Sequence, residues 1–238
     1  MVCCAHDWSS RRERFFTWLD QLPPGLAVLN PVETLRWVAH KGYLRELADA
    51  GIPVVPTVWV DAGTPADLAA ICRERGWSDA IIKPAVGSGS LGVCRVSSAA
   101  TADQAQGVIT RALRHGRDML VQPYLSSVES EGELSVVFVD RAVSHALRKV
   151  PQPGNFTAQH WHSTITTTTL IADEAALVER VVAAAGNGVL YGRIDLLRDD
   201  SGALLLSEIE LIAPLLYLDD SAAGRLADAV ASALAARA

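Results

Sequence analysis

No apolar run in this chain approaches the ~20 residues that a bilayer-spanning helix requires. Nor is there a basic stripe: Lys and Arg are scattered, and the formal net charge is −6. The first absence argues against a membrane protein, and the second leaves nucleic acid without its electrostatic footprint. Cysteine is scarce, with only Cys3, Cys4, Cys72 and Cys94. No pair has metal-ligand spacing, and adjacent Cys3 and Cys4 do not make a plausible disulfide with each other. Cys72 lies in an amphipathic pattern and Cys94 in a strand-like run, so both read as small core residues. No Cys/His arrangement suggests a nucleophile, and His160 and His162, flanking Trp161, read as exposed loop histidines without a third metal ligand. The opening Met1-Val2-Cys3-Cys4-Ala5-His6-Asp7 lacks a basic or apolar leader pattern, which makes the cytoplasm the default location.

What remains is an ordinary globular composition, half apolar and one-fifth charged, over 238 residues. That length suits one large domain or two small ones. Helices are expected over 11–21, 32–50, 64–76, 101–116, 173–188 and from 219 to the end. Asn30-Pro31 supplies a cap and first turn to the second of these. Strands are expected over 52–60, with edge prolines, and over 80–84, 93–96 and 119–125. Two hairpins follow, 133–139 with 142–150 and 191–197 with 203–211. Pro151 to Thr168 reads as a long polar loop of the size of a lid or substrate loop. Helices interleaved with hairpins give an α+β fold with largely antiparallel sheets.

The last hairpin is the most informative stretch. Strand alternation puts Arg193 and Asp195 on one face, and Glu208 and Glu210 on one face of the partner strand. Carboxylates in a ladder of Ile and Leu are costly unless something binds them. A hard cation such as Mg²⁺ answers that need, and a solvated face with Arg193 paired to an acid is the alternative. Upstream, Gly87-Ser88-Gly89-Ser90-Leu91-Gly92 joins two strands and is neither a Walker A loop nor a G-x-G-x-x-G turn. Its small residues let backbone N–H groups approach an anion, and Lys83, among Ile81, Ile82 and Pro84, adds a charge against phosphate. Gln122-Pro123-Tyr124-Leu125 ends a strand where exposed backbone groups could read an adenine edge, and Glu133 could accept from ribose hydroxyls. Arg148-Lys149 ends another, and adjacent strand residues face opposite ways, so one of the two points into any site. Each feature also has a bland reading as a turn, a strand end or a solvated pair.

Their order along the chain resembles the ATP-grasp superfamily, in particular its glutathione synthetase and RimK-like branch with the cycloserine-ligase-like members. The resemblance runs from about Asp7 to the last helix. It implies two α+β lobes with ATP and Mg²⁺ clamped between them. Residues 1–50 would be a remnant of an N-terminal domain with linker helices, 51–125 the small lobe and 126–238 the large lobe. By the same resemblance Lys41 and Lys83 contact phosphates under the Gly87–Gly92 loop, residues Gln122 to Leu125 hold adenine, and Glu133 holds ribose. Asp195, Glu208 and Glu210 would coordinate Mg²⁺, with Arg193 and Arg148 stabilising the transferring groups. The implied reaction joins a small carboxylate to an amine through an acyl-phosphate, which demands positioning and charge neutralisation rather than a protein nucleophile. The alternatives are a non-catalytic ATP-binding module completed by a partner domain or a homodimer, and a phosphotransferase on the same scaffold.

The sequence departs from the branch pattern in four places. Only a remnant stands where an N-terminal α/β domain is usual. Glu210 replaces a common Asn, and His40 replaces an Asp before Lys41. Gly154-Asn155-Phe156-Thr157 and His160-Trp161-His162-Ser163 replace the Gly-Asp…Arg and Gly-Gly patterns of the substrate loop.

Overall fold

The computed structural model describes residues 7–236. The readings of Cys3, Cys4 and the opening segment, and the last two residues of the terminal helix, lie outside that range.

Two antiparallel sheets organise the chain. The smaller contains β1 (Val58–Val60), β2 (Ala80–Pro84), β3 (Cys94–Val96) and β4 (Met119–Pro123), in the order β1-β4-β2-β3. Alternation along β2 and β4 sends Ala80, Ile82, Met119 and Val121 into a core with α4 (Leu68–Arg75) and α5 (Ala99–Arg114). Cys72 and Cys94 pack against it, partly buried. The other face of the same strands carries Ile81, Lys83, Leu120 and Gln122, paired as Ile81 with Gln122 and Lys83 with Leu120.

The larger sheet contains β5 (Glu133–Val139), β6 (Ala142–Pro151), β7 (Ser163–Thr168), β8 (Tyr191–Arg198) and β9 (Leu204–Glu210), in the order β7-β6-β5-β8-β9. One face packs Leu134, Val136, Phe138, Ile194, Leu196, Leu206 and Ile209 against α2 (Val32–Val38), α3 (Tyr43–Asp49) and α7 (Ala172–Ala184). The terminal helix α8 is Asp220–Ala235, capped by the Asp219 carboxylate accepting from Ala222 N–H. A short helix, α6 (Ser127–Ser130), follows the end of β4, where Ser127 Oγ donates to the Arg198 carbonyl at 2.5 Å.

Several expected elements change. The helix expected over 32–50 breaks into α2 and α3 because the intervening turn is tied elsewhere. Lys41 N–H donates to the Ala85 carbonyl at 2.8 Å, and Gly42 N–H donates to His40 Nδ1 at 3.0 Å. The expected 52–60 strand keeps only Val58–Val60 in the small sheet, since prolines cannot serve a central ladder. Its first half instead covers the edge of β9, with Leu206 N–H donating to Pro53 O at 2.8 Å and Val55 N–H to Leu206 O at 3.0 Å. The end of the polar loop is strand β7, whose Thr-rich run supplies the β-branched side chains a pleated edge accepts.

One irregularity sets the geometry of the larger sheet. Asp195 pairs with Glu208, but Leu196 pairs with Leu206, so Ser207 is an extra residue in β9. This β-bulge reverses the facing of the strand. Leu204 and Leu206 face the helices before it, Ile209 and Leu211 after it, and Glu208 and Glu210 emerge on the opposite side.

Candidate functional site

The face of the larger sheet opposite α2, α3 and α7 and the face of β2 and β4 that bears Lys83 meet around a cluster of charges. Lys41, delivered by the broken helix, is buried; its Nζ donates to Gly87 O at 3.0 Å and lies 2.9 Å from Glu208 Oε1. Lys83 is buried as well, and among the described residues its ammonium has no hydrogen bond or ion pair. Burial pulls its ammonium down to about 8, with Lys41 adding to the effect while Glu208, Glu133 and Asp195 oppose it. A lysine in that state favours an incoming anion.

On the facing sheet, Arg193 and Asp195 form a bidentate pair at 2.9 Å for both Nε–Oδ1 and Nη2–Oδ2. Arg193 Nη2 also meets Glu210 Oε1 at 2.9 Å, and Nη1 donates to Leu215 O at 3.0 Å. Asp195 Oδ1 further accepts from Ser135 Oγ at 2.5 Å. Burial works against the Asp195 charge, but Arg193 and Lys149 outweigh it and hold the carboxyl far below the usual range. Glu133 pairs with Lys149, and burial nevertheless raises its carboxyl. Lys149, also 3.7 Å from Asp195, is held above the ordinary lysine value because Asp195 and Glu133 overcome its desolvation. Glu210 is pushed up to about 7, by burial first and by Glu208 and Asp195 next, against the pull of Arg193.

The structure therefore brings Lys41, Lys83, Glu133, Arg193, Asp195, Glu208 and Glu210 together. Arg148 does not join them. It pairs with Leu134 on the helix side of the sheet and reaches the buried Glu174 of α7 at 2.7 Å, beside Arg198. Strand alternation delivers Lys149 in its place, next to Glu133 across the ladder. Lys149 and Ser135 carry no motif of their own; period-two alternation from Glu133 is the signal that locates them.

The three acids expected to hold metal share a face, yet each is engaged by a basic side chain. Among the described residues no three His, Cys, Asp or Glu side chains are grouped closely enough to hold an ion by themselves. Asp195 has both oxygens bound to Arg193, whereas Glu208 and Glu210 each have one carboxylate oxygen in an ion pair. Two hard oxygen donors fit Mg²⁺, which commonly takes one or two carboxylates plus substrate phosphates rather than an all-protein cage. A divalent cation would also favour the charged form of Glu210, against the burial and the neighbouring acids that raise its carboxyl.

The glycine loop is anchored at three points: Lys41 on Gly87 O, Ser9 Oγ on Ser88 Oγ at 3.0 Å, and Gln159 Nε2 donating to Gly89 O at 2.9 Å. Gly89, Ser90 and Gly92 take φ values of 60°, 57° and 79°, a left-handed path that costs little only at glycine. Ser90 therefore carries strain, and Leu91 projects into solvent. At the end of β4, Gln122 is buried and donates to Thr57 Oγ1 at 2.8 Å. The expectation of free backbone groups there is altered at Tyr124, whose N–H donates to Asp79 O at 3.0 Å. Its ring lies under the Arg95 guanidinium at 3.5 Å, with Arg95 held by Asp79 and Glu129. Leu125 is buried with Val55 and Leu205. His160 lies 5.5 Å, ring to ring, from the half-buried Tyr217, so it has a partner that the sequence did not suggest.

Similarity to known proteins follows the same lines. The family model for the ATP-grasp domain of prokaryotic glutathione synthetase matches residues 54–215. The chain is 31% identical to the cycloserine biosynthesis protein DcsG of Streptomyces lavendulae over 244 residues, covering 95% of this chain and 80% of that one. The crystal structure of D-cycloserine synthetase DcsG superposes with a TM-score of 0.84 at 28% identity, over 95% of this chain and 80% of the other. D-alanyl-alanine synthetase A of Vibrio cholerae shares the fold, with a TM-score of 0.68 at 17% identity over 95% and 73% of the two chains.

Proposed function

The chain belongs to the prokaryotic glutathione synthetase ATP-grasp family, an ATP-dependent carboxylate–amine ligase, and on that premise we propose how its cleft divides the work. The observation that carries the reading is Lys83, a buried ammonium without a partner among the described residues, set between the glycine loop and the acids of the facing sheet. Lys83 and Lys41 hold the phosphates of ATP, and the Gly87–Gly92 backbone lies over them. Thr57 fixes Gln122 at the adenine end, and Glu133, steadied by Lys149, receives the ribose.

Arg193 is oriented by Asp195, so its guanidinium stabilises charge on the transferring phosphoryl and on the tetrahedral adduct with the amine. A small carboxylate attacks the γ-phosphate and displaces ADP, and the amine then displaces phosphate from the acyl-phosphate with loss of its proton. Glu208 and Glu210 would hold Mg²⁺ together with phosphate oxygens, and the ion would supply charge neutralisation between them. Arg148 has no part in this scheme. The relative named for cycloserine biosynthesis puts products of that kind first in any substrate screen.

The test is calorimetric titration of ATP, with and without Mg²⁺, into the wild-type chain and Glu208→Gln. Mg²⁺-dependent binding that the variant loses is the expected result. Equal binding by both proteins would remove Glu208 from the metal site, and no nucleotide binding by the folded chain would overturn the reading.

A further inference from the structure

β9 is an outer strand, and its free edge has been closed by two different devices. Along Leu206 the backbone groups are met by Pro53 and Val55. At Ile209 they are met by a side chain. Tyr43 Oη accepts the Ile209 N–H at 2.8 Å and donates to the Ile209 carbonyl at 3.4 Å. Tyr43 is 2% exposed, and its ring lies 4.9 Å from that of Trp37. Ile209 is the residue between Glu208 and Glu210. Two positions before Tyr43, Lys41 reaches Glu208. The turn that opens α3 thus grips the acid-bearing strand twice, once by charge and once by a phenol bonded to main chain.

A peptide unit at a strand edge that has lost its partners frays or twists, and the side chains on either side of it turn with it. A hydroxyl that fixes the Ile209 peptide groups therefore fixes the directions in which Glu208 and Glu210 leave the strand. We propose that Tyr43 is a positioning residue for the cation-binding acids, setting their spacing through the main chain of Ile209. This rests on the reading that Glu208 and Glu210 take part in holding Mg²⁺.

The experiment uses the full chain and Mn²⁺ as the probe ion, with bound Mn²⁺ followed by electron paramagnetic resonance in the presence of ADP. Tyr43→Phe keeps the ring and removes the hydroxyl. It is expected to weaken Mn²⁺ roughly tenfold, within the range for residues that orient metal ligands. Metal-free ADP affinity stays unchanged, and amide exchange at Ile209 accelerates. Para-aminophenylalanine at position 43 restores a donor toward the Ile209 carbonyl but only a weak acceptor for the Ile209 N–H, and it is expected to recover only part of the lost affinity. Leu47→Ala, which loosens the buried side of α3 without touching a hydrogen bond to β9, should leave Mn²⁺ affinity as it is.

Unchanged Mn²⁺ affinity in Tyr43→Phe would overturn the proposal, as would an equal loss in Leu47→Ala. If Tyr43→Phe does not fold, the aminophenylalanine protein decides instead: weakened Mn²⁺ affinity with metal-free ADP affinity kept supports the proposal, and wild-type Mn²⁺ affinity overturns it. Glu208→Gln separates the two levels, because its failure to weaken Mn²⁺ would sink the metal reading itself whatever Tyr43 does.

Discussion

Arg148 and Lys149 are neighbours on β6 whose charges lie on opposite faces of one sheet. Arg148 meets buried Glu174 at the N-terminal turn of α7, and Lys149 meets Glu133 and Asp195 in the cleft. Arg148→Ala is expected to reduce stability by about 1–3 kcal/mol, because the buried Glu174 loses one of its two basic partners and keeps Arg198 and the Ile171 N–H. Nucleotide affinity should hardly move. Lys149→Ala should weaken ATP binding, since it frees a buried carboxylate where the ribose is proposed to sit. Urea unfolding beside ATP titration of both variants checks this, and a reversed pattern would assign Arg148 to the site.

Lys83 yields a charge-specific prediction. Lys83→Ala should lower ATP affinity by the ~1.5–3 kcal/mol of a hydrogen bond to a charged group, while adenosine affinity stays the same. Its titration adds a sign. With a value of about 8 in the free protein, Lys83 is charged below that pH, and bound phosphate favours the charged form. ATP affinity should therefore be flat below pH 8 and decline above it, as binding must then take up a proton. Lys83→Met should abolish that decline. An ATP profile with no break near pH 8 would contradict the placement of this ammonium beside phosphate.

Glu210 titrates in the opposite sense. Its carboxyl is raised by burial from 4.5 to about 7, so the folded chain binds more protons than the unfolded chain between those values. Its contribution to stability is accordingly most favourable below the ordinary carboxylate value and is lost as pH rises to about 7. A cation on Glu210 competes with that proton. Mg²⁺ dependence of ATP binding should then strengthen from pH 6 to pH 8, and Glu210→Gln should flatten the trend. Calorimetry at a series of pH values reads both slopes.

Gly192 precedes the Arg193–Asp195 pair and faces the core. A Cβ there would stand 2.7 Å from two ring carbons of Phe138 and collide with Leu211. Gly192→Ala is expected to cost about 1–3 kcal/mol by overpacking. Thermal unfolding should show the loss; no loss would mean that Phe138 and Leu211 can withdraw freely.

Much of the fold was legible because the core strands are short apolar runs bounded by turn residues and the helices carry their punctuation. Ala80–Pro84 and Glu133–Val139 needed only those bounds, and the carboxylate hairpin period two. Local pattern says nothing of where a backbone donor goes, which is why the break between α2 and α3 escaped it: the cause is Ala85, more than forty residues away. Lys83 and the last hairpin were found because charge in an apolar strand is costly and visible, Glu133 from its place at the start of a strand, and Lys41 only through the resemblance to the ATP-grasp superfamily. Arg148 and Lys149 could not be told apart without the register against β5. Tyr43 was hidden for another reason, since a buried tyrosine on a helix reads as core and its hydroxyl partner is main chain.

The bulge at Ser207 gives the protein a dependence on counting rather than on chemistry. β9 is written in two phases, and the spare residue is the punctuation between them. Any side chain tolerated by a partly buried bend would serve there, provided that the residue stays out of the ladder. Straightening the strand with Ser207 drawn into the ladder would bring the acids into step with Leu204 and Leu206, turning the carboxylates toward the helices or the leucines toward the cleft. Substitutions at this position should be mild, and even a one-codon deletion should leave Glu208 opposite Asp195 with the acids on the cleft side.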